Sequence, residues 1–290
     1  MHSVAARRSI STSPDDTLER FIGRYPNLLV LTGAGCSTDS GIPDYRDLEG
    51  EWKRPPPMTY ATFMNDPVAR ARYWARSMIG WRHFSTARPN RTHAALSRLE
   101  QLGHIHMLVT QNVDGLHQAA GSQQVVDLHG RLDRVRCMAC EKRIPRVSFQ
   151  QRMTEANPQW TDLDAPHAPD GDADLDDRPF AEFVIPCCAE CGGVLKPDVV
   201  FFGEQVPRGR LNQAMSALDR SDALLVLGSS LMVYSGYRFA ACAAKQGKPI
   251  AAINLGHNRA EPLLELKLDC RCDEALAFVN TIKRKASGHT

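Results

Sequence analysis

The sequence lacks the features that define several protein classes. No run of 18 apolar residues occurs among its 290 residues, so no segment has the length and hydrophobicity of a membrane-spanning helix. Neither sign of charge is in excess, because 35 Lys and Arg face 33 Asp and Glu, and a net charge of +2 gives no reason to expect a nucleic-acid partner. An internal repeat and a secretory apolar segment are also missing. Hydrophobic residues make up 43% of the chain, which is typical of a globular protein with a large core.

The N-terminal residues 1–14 contain Arg7, Arg8 and several serines but no acid. This composition is similar to that of a mitochondrial transit peptide. We favour instead a flexible, solvated N-terminus over residues 1–19 and a flexible C-terminus over residues 284–290. Arginine greatly outnumbers lysine, which suits a bacterial cytoplasm, and the mitochondrial matrix is the alternative.

Short apolar runs that end at small or polar residues predict the strands. The runs do not alternate with polar residues, which is typical of a parallel sheet covered on both faces. Helical patterns lie between the runs. Repeated alternation of strand and helix predicts an α/β fold with a doubly wound, Rossmann-type sheet that binds ligands at the carboxyl ends of its strands. The predicted strands are Asn27–Leu31, His106–Val109, Val125–Leu128, Val199–Phe202, Ala223–Leu227 and Ile250–Ile253.

Nine cysteines, an odd number with five clustered in one stretch, argue against a disulfide framework and favour metal ligation in a reducing compartment. Cys137 and Cys140 form one C-x-x-C pair, and Cys188 and Cys191 form another. Four thiolates complete a closed tetrahedral zinc site, which predicts a structural role. The neighbouring Cys187 lacks this spacing, so we expect that it is not a ligand. Buried free thiols are the alternative for all four.

The predicted zinc module, about residues 131–196, also contains an aspartate-rich run between residues 162 and 177. The run lacks the order of ligands in an EF-hand, so we expect a solvated connection and not a calcium site. Its negative charge would repel phosphate, which argues against a zinc ribbon that binds nucleic acid.

Glycines and small polar residues follow several predicted strands. Gly33 and Gly35 allow the backbone to approach a pyrophosphate. Gly41 does not complete a G-x-G-x-x-G spacing, which argues against an ordinary hydride-transfer dehydrogenase. Amide, carboxylate and hydroxyl groups in three further turns suit a ribose, a carboxamide or an adenosine, so the turns together predict a dinucleotide site. These turns are Gln111-Asn112-Val113-Asp114, Gly228-Ser229-Ser230 and Asn254-Leu255-Gly256.

In this order the motifs resemble those of the sirtuins, the NAD-dependent protein-lysine deacylases. The resemblance covers about residues 20–283, and the segment Val233–Phe239 looks like the class II branch of that family. The motifs that carry it are Gly33–Ser37, Gly41–Arg46, Gln111–Asp114, His129-Gly130, the two C-x-x-C pairs, Lys196–Glu204, Gly228–Ser230 and Asn254–Gly256.

The resemblance implies a large Rossmann-type domain with a small zinc module inserted. It also implies one structural zinc ion, NAD as a co-substrate, and acyl-lysine proteins or peptides as partners. We expect a monomer without a direct nucleic-acid or membrane partner. By the resemblance, the phosphates of NAD lie against Gly33, Ala34 and Gly35. The other NAD contacts that it implies are Ser37, Asp44, Tyr45, Arg46, Gln111, Asn112, Val113, Asp114, Gly228, Ser229, Ser230, Asn254, Leu255, Gly256 and Cys272. The substrate contacts that it implies are Val200, Phe201, Phe202 and Gly203.

Transfer of the acyl group to a ribose hydroxyl needs a base that titrates near neutral pH, for which histidine is the natural residue. His129 follows a predicted strand and stands eight positions before the first zinc cysteine. His93 and His117 also lie in motif regions and are its rivals. The resemblance favours His129 as the base and implies that Asn112 and Asp114 are catalytic as well.

The acyl group is a separate question. Tyr73 and Arg76 have the Tyr-x-x-Arg spacing that some sirtuins use in the acyl pocket, where the arginine binds a carboxylate. A surface arginine beside an aromatic core anchor explains the pair equally well. The predicted function is therefore NAD-dependent deacylation of acetyl, longer or acidic acyl groups. Protein mono-ADP-ribosyl transfer and a non-enzymatic NAD-sensing scaffold are the alternatives.

Overall fold

The computed structural model describes residues 13–53, 57–165, 167–168, 171–173, 175 and 178–282. The predictions for residues 1–12 and 284–290 lie outside the described residues, and so do four members of the aspartate-rich run, Asp170, Asp174, Asp176 and Asp177. None of the described helices has both the length and the apolar character needed to cross a bilayer.

Helices and strands alternate along most of the chain. The α-helices are α1 (Pro14–Arg24), α2 (Tyr60–Asn65), α3 (Pro67–Phe84), α4 (Arg91–Gln101), α5 (Leu116–Ala119), α6 (Arg146–Ala156), α7 (Arg208–Arg220), α8 (Tyr234–Lys245) and α9 (Cys272–Ala275). The strands are β1 (Leu28–Thr32), β2 (Ile105–Thr110), β3 (Val125–Asp127), β4 (Gly130–Cys137), β5 (Arg143–Pro145), β6 (His167–Ala168), β7 (Asp172–Ala173), β8 (Leu195–Val199), β9 (Ala223–Leu227), β10 (Ile250–Ile253) and β11 (Leu266–Leu268). The short 3-10 helices are Ala34–Cys36, Thr38–Ser40, Pro158–Trp160, Phe180–Glu182, Glu261–Leu263 and Ala277–Asn280.

Six parallel strands form the main sheet in the order β11-β10-β9-β1-β2-β3. Every residue of β1, β9 and β10 is buried, as the continuous apolar runs predict. Successive side chains of β1 point to opposite faces, so that Leu28 and Val30 pack in one core while Leu29 and Leu31 pack in the other. The first core is covered by α1, α4 and α9, and the second by α7 and α8. The predicted doubly wound α/β sheet is confirmed.

The folded part of the chain begins before residue 20. Ser13 caps α1 by accepting a hydrogen bond from the amide of Asp16 (3.4 Å), and Pro14 occupies the first helical position, where its missing N–H costs nothing. Leu18 is fully buried in the first core. The sequence boundary missed this helix because the residues that precede it are polar.

A second lobe is built on a three-stranded antiparallel sheet in the order β5-β4-β8. Its core is rich in aromatic rings and takes in α2, α3 and α6, with Trp74 of α3 packed edge-on against Phe149 of α6 at 4.8 Å. The lobe is therefore larger than residues 131–196, since α2 and α3 come from the long connection after β1.

One strand prediction is wrong. The run Val199–Phe202 was expected in the parallel sheet, but the strand there is β8, which ends at Val199 and pairs antiparallel with β4 in the second lobe. Buried apolar residues alone do not distinguish the two sheets, because both cores require them. The residues after Val199 leave the strand and turn into the cleft between the lobes.

Candidate active site

The carboxyl ends of five neighbouring strands open into one cleft of about 1010 Å³. It lies at the edge where β10, β9, β1, β2 and β3 end, as expected for a doubly wound sheet. The structure brings most of the predicted site residues to this cleft. Those that line it are Gly33, Ala34, Gly35, Asp44, Tyr45, Arg46, Gln111, Asn112, Val113, His129, Val200, Phe201, Phe202, Gly203, Gly228, Ser229, Ser230, Asn254, Leu255 and Cys272.

Glycines at the ends of β1 and β9 pack backbone against backbone. The amide of Gly35 donates to the carbonyl of Gly228 at 2.9 Å. A Cβ on Gly33 would lie 2.7 Å from the carbonyl oxygen of Gly228, and Gly228 itself has a φ of +58°. Side chains are excluded here, so a ligand meets bare backbone, which is the requirement of a bound pyrophosphate.

A hydrogen-bond network connects the turn after β2 to the turn after β1. Asn112 Nδ2 donates to the Gly33 carbonyl at 3.0 Å and to Ser37 Oγ at 3.1 Å. Ser37 in turn donates to Asp114 Oδ2 at 2.7 Å. Burial raises the pKa of Asp114, whereas its hydrogen bonds from the Leu116 amide and from Ser37 act in the opposite direction. Ser37 and Asp114 thus lie behind the cleft wall and hold Asn112 in it.

The Gln111 side chain links two strand ends. Its Nε2 donates to Ser229 Oγ at 2.8 Å and faces the carbonyl of Thr32 at 3.3 Å. The turns after β1, β2 and β9 are therefore joined into one polar floor.

His129 lies between this floor and the second lobe. Its Nδ1 is 3.0 Å from the carbonyl oxygen of Gln111, and its Nε2 is 2.8 Å from Ser235 Oγ. A carbonyl only accepts, so Nδ1 carries the proton and donates, and the Nε2 lone pair accepts from the Ser235 hydroxyl. Burial lowers the pKa of His129 to about 4, the hydrogen bond to Gln111 acts in the opposite direction, and the Arg210 charge adds to the lowering. The side chain is a neutral imidazole with Nε2 ready to take a proton. The expectation of a base that titrates near neutral pH is not met, because burial disfavours the imidazolium.

The rival histidines lie beneath the cleft wall. His93 Nδ1 is 2.9 Å from Asn90 Oδ1 within the capping box of α4, and His117 Nε2 is 2.9 Å from Thr32 Oγ1. Burial lowers the pKa of His93 to about 4 and that of His117 well below its usual value. Both side chains are almost fully buried and outside the cleft lining, which makes them structural groups.

The segment Asp44–Arg46 forms part of the cleft rim. The Arg46 guanidinium donates to the Gly50 carbonyl at 2.7 Å and lies 3.8 Å from the centre of the Trp52 ring. Lys53 pairs with Asp44 at 2.5 Å. The loop therefore holds itself together by contacts within residues 44–53.

The opposite end of the cleft belongs to β10 and α9. Asn254 and Leu255 follow β10 and line it, as does the nearly buried Cys272 at the start of α9. The amide of Gly256 donates to Asp269 Oδ1 at 3.0 Å. Gly256 therefore stabilises the turn after β10 and does not line the cleft. The residues expected around the adenosine are thus brought to one end, and His129 to the other.

The second lobe supplies the facing wall through Val200–Gly203. The amide of Val200 donates to the carbonyl of His129 at 2.8 Å, and the carbonyl of Phe202 accepts from the Tyr60 amide at 2.9 Å. The segment is therefore fastened both to the His129 peptide and to α2.

Behind that wall lies a buried ion pair. Lys196 Nζ is 3.0 Å from Glu204 Oε2, the Lys196 side chain is only 4% exposed, and the same carboxylate accepts from the Phe201 amide at 2.9 Å. Burial lowers the pKa of Lys196, and Glu204 acts in the opposite direction.

Tyr73 and Arg76 lie outside the cleft. The guanidinium of Arg76 forms a forked ion pair with Asp172, with Nε and Nη2 each 2.9 Å from a carboxylate oxygen. Tyr73 packs against Phe63 and Phe201 at ring-centre distances of 5.4 and 5.2 Å, and burial raises its pKa. This geometry favours the interpretation of Tyr73 as an aromatic core anchor and of Arg76 as an arginine beside it, because the guanidinium of Arg76 is already paired with a carboxylate of this chain.

The four predicted zinc cysteines come together at the tip of the second lobe. The Sγ atoms of Cys137, Cys140, Cys188 and Cys191 all lie within 4.8 Å of one another, and the Cys137–Cys191 and Cys140–Cys188 distances are 3.5 and 3.8 Å. Zinc–sulfur bonds of about 2.3 Å in a tetrahedron place sulfur atoms about 3.8 Å apart, so the cluster fits zinc. Cys187 is exposed and outside the cluster.

These observations match a known family. A family model described as the Sir2 family matches residues 33–235. The chain belongs to the Sir2 family. The sirtuin resemblance of the motifs is confirmed, and with it the α/β fold that carries a zinc module.

Relatives and solved structures agree along most of the chain. It is 61% identical over 264 residues to the NAD-dependent protein deacetylase of Xanthomonas axonopodis pv. citri (strain 306), a match that covers 91% of this chain and 90% of that protein. It is 46% identical over 266 residues to the NAD-dependent protein lipoamidase sirtuin-4, mitochondrial, of Bos taurus, covering 91% and 84%. A solved structure of Sir2 with p53 peptide and NAD+ has a TM-score of 0.70 at 28% identity and covers 91% of this chain and 96% of that one.

Sequence reasoning missed Ser235 in this Sir2-family chain. It belongs to the segment Val233–Phe239, and its hydroxyl is the group that contacts His129 Nε2. The available signal was its position at the start of a predicted helix that follows a strand-end turn.

Proposed function

We propose that the chain is an NAD-dependent protein-lysine deacylase that transfers the acyl group of an acyl-lysine to ADP-ribose and releases nicotinamide. The observation that carries this proposal is the neutral imidazole of His129, with Nε2 available as a base, at one end of a cleft built from five strand ends. Membership of the Sir2 family and 61% identity to a protein named as a deacetylase support it. The similarity to sirtuin-4 supports the class II branch.

The cleft fits a dinucleotide by its length and by its lining. The strand ends from β10 to β3 span four strand spacings, about 19 Å. Asn254 would face the adenosine at one end, Gly33 and Gly35 would face the pyrophosphate, and Asn112 and Gln111 would face the nicotinamide riboside. When bound, NAD supplies a weak glycosidic bond to a cationic leaving group, and its cleavage activates the ribose carbon towards the acyl oxygen.

Side chains of this protein then accept the proton and orient the ribose. His129 Nε2 takes the proton from the ribose hydroxyl that attacks the acyl carbon, while Nδ1–H stays on the Gln111 carbonyl and fixes the ring. Asn112, held by Ser37 and Asp114, orients the ribose. The Val200–Gly203 wall positions the acyl-lysine and keeps water from the reacting groups.

Product analysis tests the proposal. The protein is incubated with adenine-labelled NAD and a panel of acetyl-, butyryl-, lipoyl-, succinyl- and glutaryl-lysine peptides, and the products are identified by mass spectrometry. We expect nicotinamide release that depends on peptide and a labelled acyl-ADP-ribose. Label transferred onto protein would indicate mono-ADP-ribosyl transfer instead, and binding of NAD without nicotinamide release would indicate a scaffold.

We also propose that the protein works in a bacterial cytoplasm. The Xanthomonas relative supports this location, and a four-thiolate zinc site requires reduced cysteines, which the cytosol maintains. Fractionation of the producing cell, followed by immunodetection of the chain, tests it.

A further inference from the structure

Five Lys and Arg side chains line the cleft, and three of them are held by a carboxylate or a carbonyl of the described residues. Lys53 pairs with Asp44, Arg271 pairs with Asp39 and Asp273, and Arg46 is held by a carbonyl and the Trp52 ring. The other two are Arg208 and Arg238; in the part of the chain that the structure describes, neither forms an ion pair.

Of the two, Arg238 gives the stronger evidence for a bound ligand. Its Nε atom is buried and has no hydrogen-bond partner in the described part of the chain, and its guanidinium lies 5.0 Å from the centre of the Tyr234 ring. A buried donor on a charged group that is left without an acceptor destabilises a fold. The two Nη groups also lack a partner among the described residues and, unlike Nε, are not buried, so a ligand in the cleft can supply their acceptor.

The position of Arg238 places it beside the base. Ser235, three residues earlier on α8, contacts His129 Nε2, and the backbone of Gly236 lies so close to the Gln111 side chain that a Cβ would be 2.4 Å from its Oε1. Residues three apart share a helix face with Cβ atoms about 5–6 Å from each other. Arg238 therefore faces the cleft within one helical turn of the group that contacts His129.

This end of the cleft is distinct from the phosphate end. Ser235 at the start of α8 contacts His129, which follows the edge strand β3, whereas Gly33 and Gly228 follow the central strands β1 and β9. Val206, Arg208 and Leu211 line the same cleft. A cation here faces the acyl-lysine and not the pyrophosphate.

We propose that Arg238, assisted by Arg208, binds a carboxylate of the acyl-lysine substrate, and this inference rests on the proposed deacylase function. The planar guanidinium fork matches a carboxylate in two parallel hydrogen bonds. The carboxylate has two possible sources, an acidic acyl chain or an Asp or Glu beside the modified lysine. In either case Arg238 takes the role that the sequence left open for Arg76, whose guanidinium is already paired with Asp172.

Three matched peptides test the site. The first carries acetyl-lysine with neutral neighbours, the second carries acetyl-lysine with a neighbouring Glu, and the third carries succinyl-lysine with neutral neighbours. We expect the wild type to show a higher kcat/KM on the second or the third peptide than on the first. Arg238→Gln should reduce that ratio about tenfold or more, and Arg238→Lys should restore only part of it, because an ammonium lacks the fork. Lys245→Gln removes a charge from the exposed last turn of the same helix and should leave the ratio unchanged.

The peptide that responds identifies the source of the carboxylate. A wild type that prefers neither acidic peptide, or a preference that survives in Arg238→Gln, overturns the proposal. Equilibrium binding of the same peptides, measured by fluorescence anisotropy, separates this proposal from the function on which it rests. If no peptide is turned over, the deacylase function fails, and equal affinity for all three peptides then overturns the carboxylate site as well.

Discussion

At the scale of single residues, His129 shows how environment sets chemistry. The residue type and its place after a strand were visible in the sequence, but its protonation state was not. Burial makes the ring neutral, the Gln111 carbonyl keeps the proton on Nδ1, and the Nε2 lone pair accepts a hydrogen bond from the Ser235 hydroxyl. The rivals His93 and His117 have the same residue type and a similar depression of pKa, but their nitrogens face Asn90 and Thr32.

Removal of the base should abolish turnover without loss of the fold. His129→Ala is expected to lower kcat for deacylation by at least about 100-fold, the usual contribution of general base catalysis. Zinc content and the circular dichroism spectrum should be unchanged, and the exposed His83 gives a matched control, His83→Ala, with wild-type activity. Full turnover in His129→Ala would remove the base assignment.

The depressed pKa of His129 predicts an unusual pH profile. A group with a folded-state pKa of about 4, below the ordinary 6.5, is neutral and competent at every pH above about 4. The kcat/KM value should therefore show no break from His129 between pH 5.5 and pH 8. A loss of activity centred near pH 6.5 that follows protonation of His129, observed by NMR, would contradict this.

Ser235 is expected to act as a positioning residue. Ser235→Ala removes the hydroxyl 2.8 Å from Nε2 and leaves the ring held at Nδ1 alone, so kcat should fall several-fold to tenfold while the KM for NAD changes little. Ser235→Thr keeps a hydroxyl and should recover most of kcat. An equal loss in both variants would indicate a packing defect and not a lost hydrogen bond.

At the scale of elements, the sequence predicted what continuous hydrophobicity can encode. β1, β2, β9 and β10 are confirmed because their residues are almost all apolar and buried. β3 is confirmed as well, although only Val126 in it is fully buried. β11 was missed, since Lys267 lies at its centre and all three of its residues are half-buried. Arginines interrupt the apolar stripe of α3, which obscures its length in the sequence, although Pro67 at its start and the Asp66 cap are readable.

The candidate site was predictable to a similar degree. The turns at strand ends and the cysteine pairs follow from local spacing. The contacts of Ser235, Arg238 and Asp172 depend on which elements pack together, which a single sequence does not specify.

The Lys196–Glu204 pair should control the Val200–Gly203 wall. Glu204→Gln leaves a buried ammonium without its counter-charge, so we expect a loss of about 3–5 kcal/mol in the free energy of unfolding and a raised KM for peptide. Urea unfolding and peptide kinetics measure the two effects. The double variant Lys196→Met with Glu204→Leu should regain much of the stability, and a double variant that is less stable than Glu204→Gln would contradict the account.

At the scale of the whole molecule, the zinc cluster supports the site from a distance. β4 runs from Gly130, directly after His129, to the zinc cysteine Cys137, and β8 returns from the cluster to Val200. A zinc ion held by these cysteines would therefore fix the far ends of the two strands whose near ends carry the base and the substrate wall.

Loss of one zinc ligand should lower activity through β4 and β8, the two strands that connect the cluster to His129 and to the substrate wall. Cys140→Ser is expected to lose zinc, measured by mass spectrometry, to lower the melting temperature and to abolish most deacylation. The adjacent-cysteine control Cys187→Ser should keep zinc, stability and activity, because Cys187 is exposed outside the cluster. Zinc loss in the Cys187 variant would instead assign it as a ligand.

The hydrogen bond between the Val200 amide and the His129 carbonyl joins two of the places where the chain crosses from one lobe to the other. If the lobes turn relative to each other about this junction, displacement grows with distance from it. The rim loop and the zinc cluster would then travel farthest, while the imidazole stays almost at the pivot. In such a motion the cleft opens to admit two reactants and closes over them while His129 keeps its position.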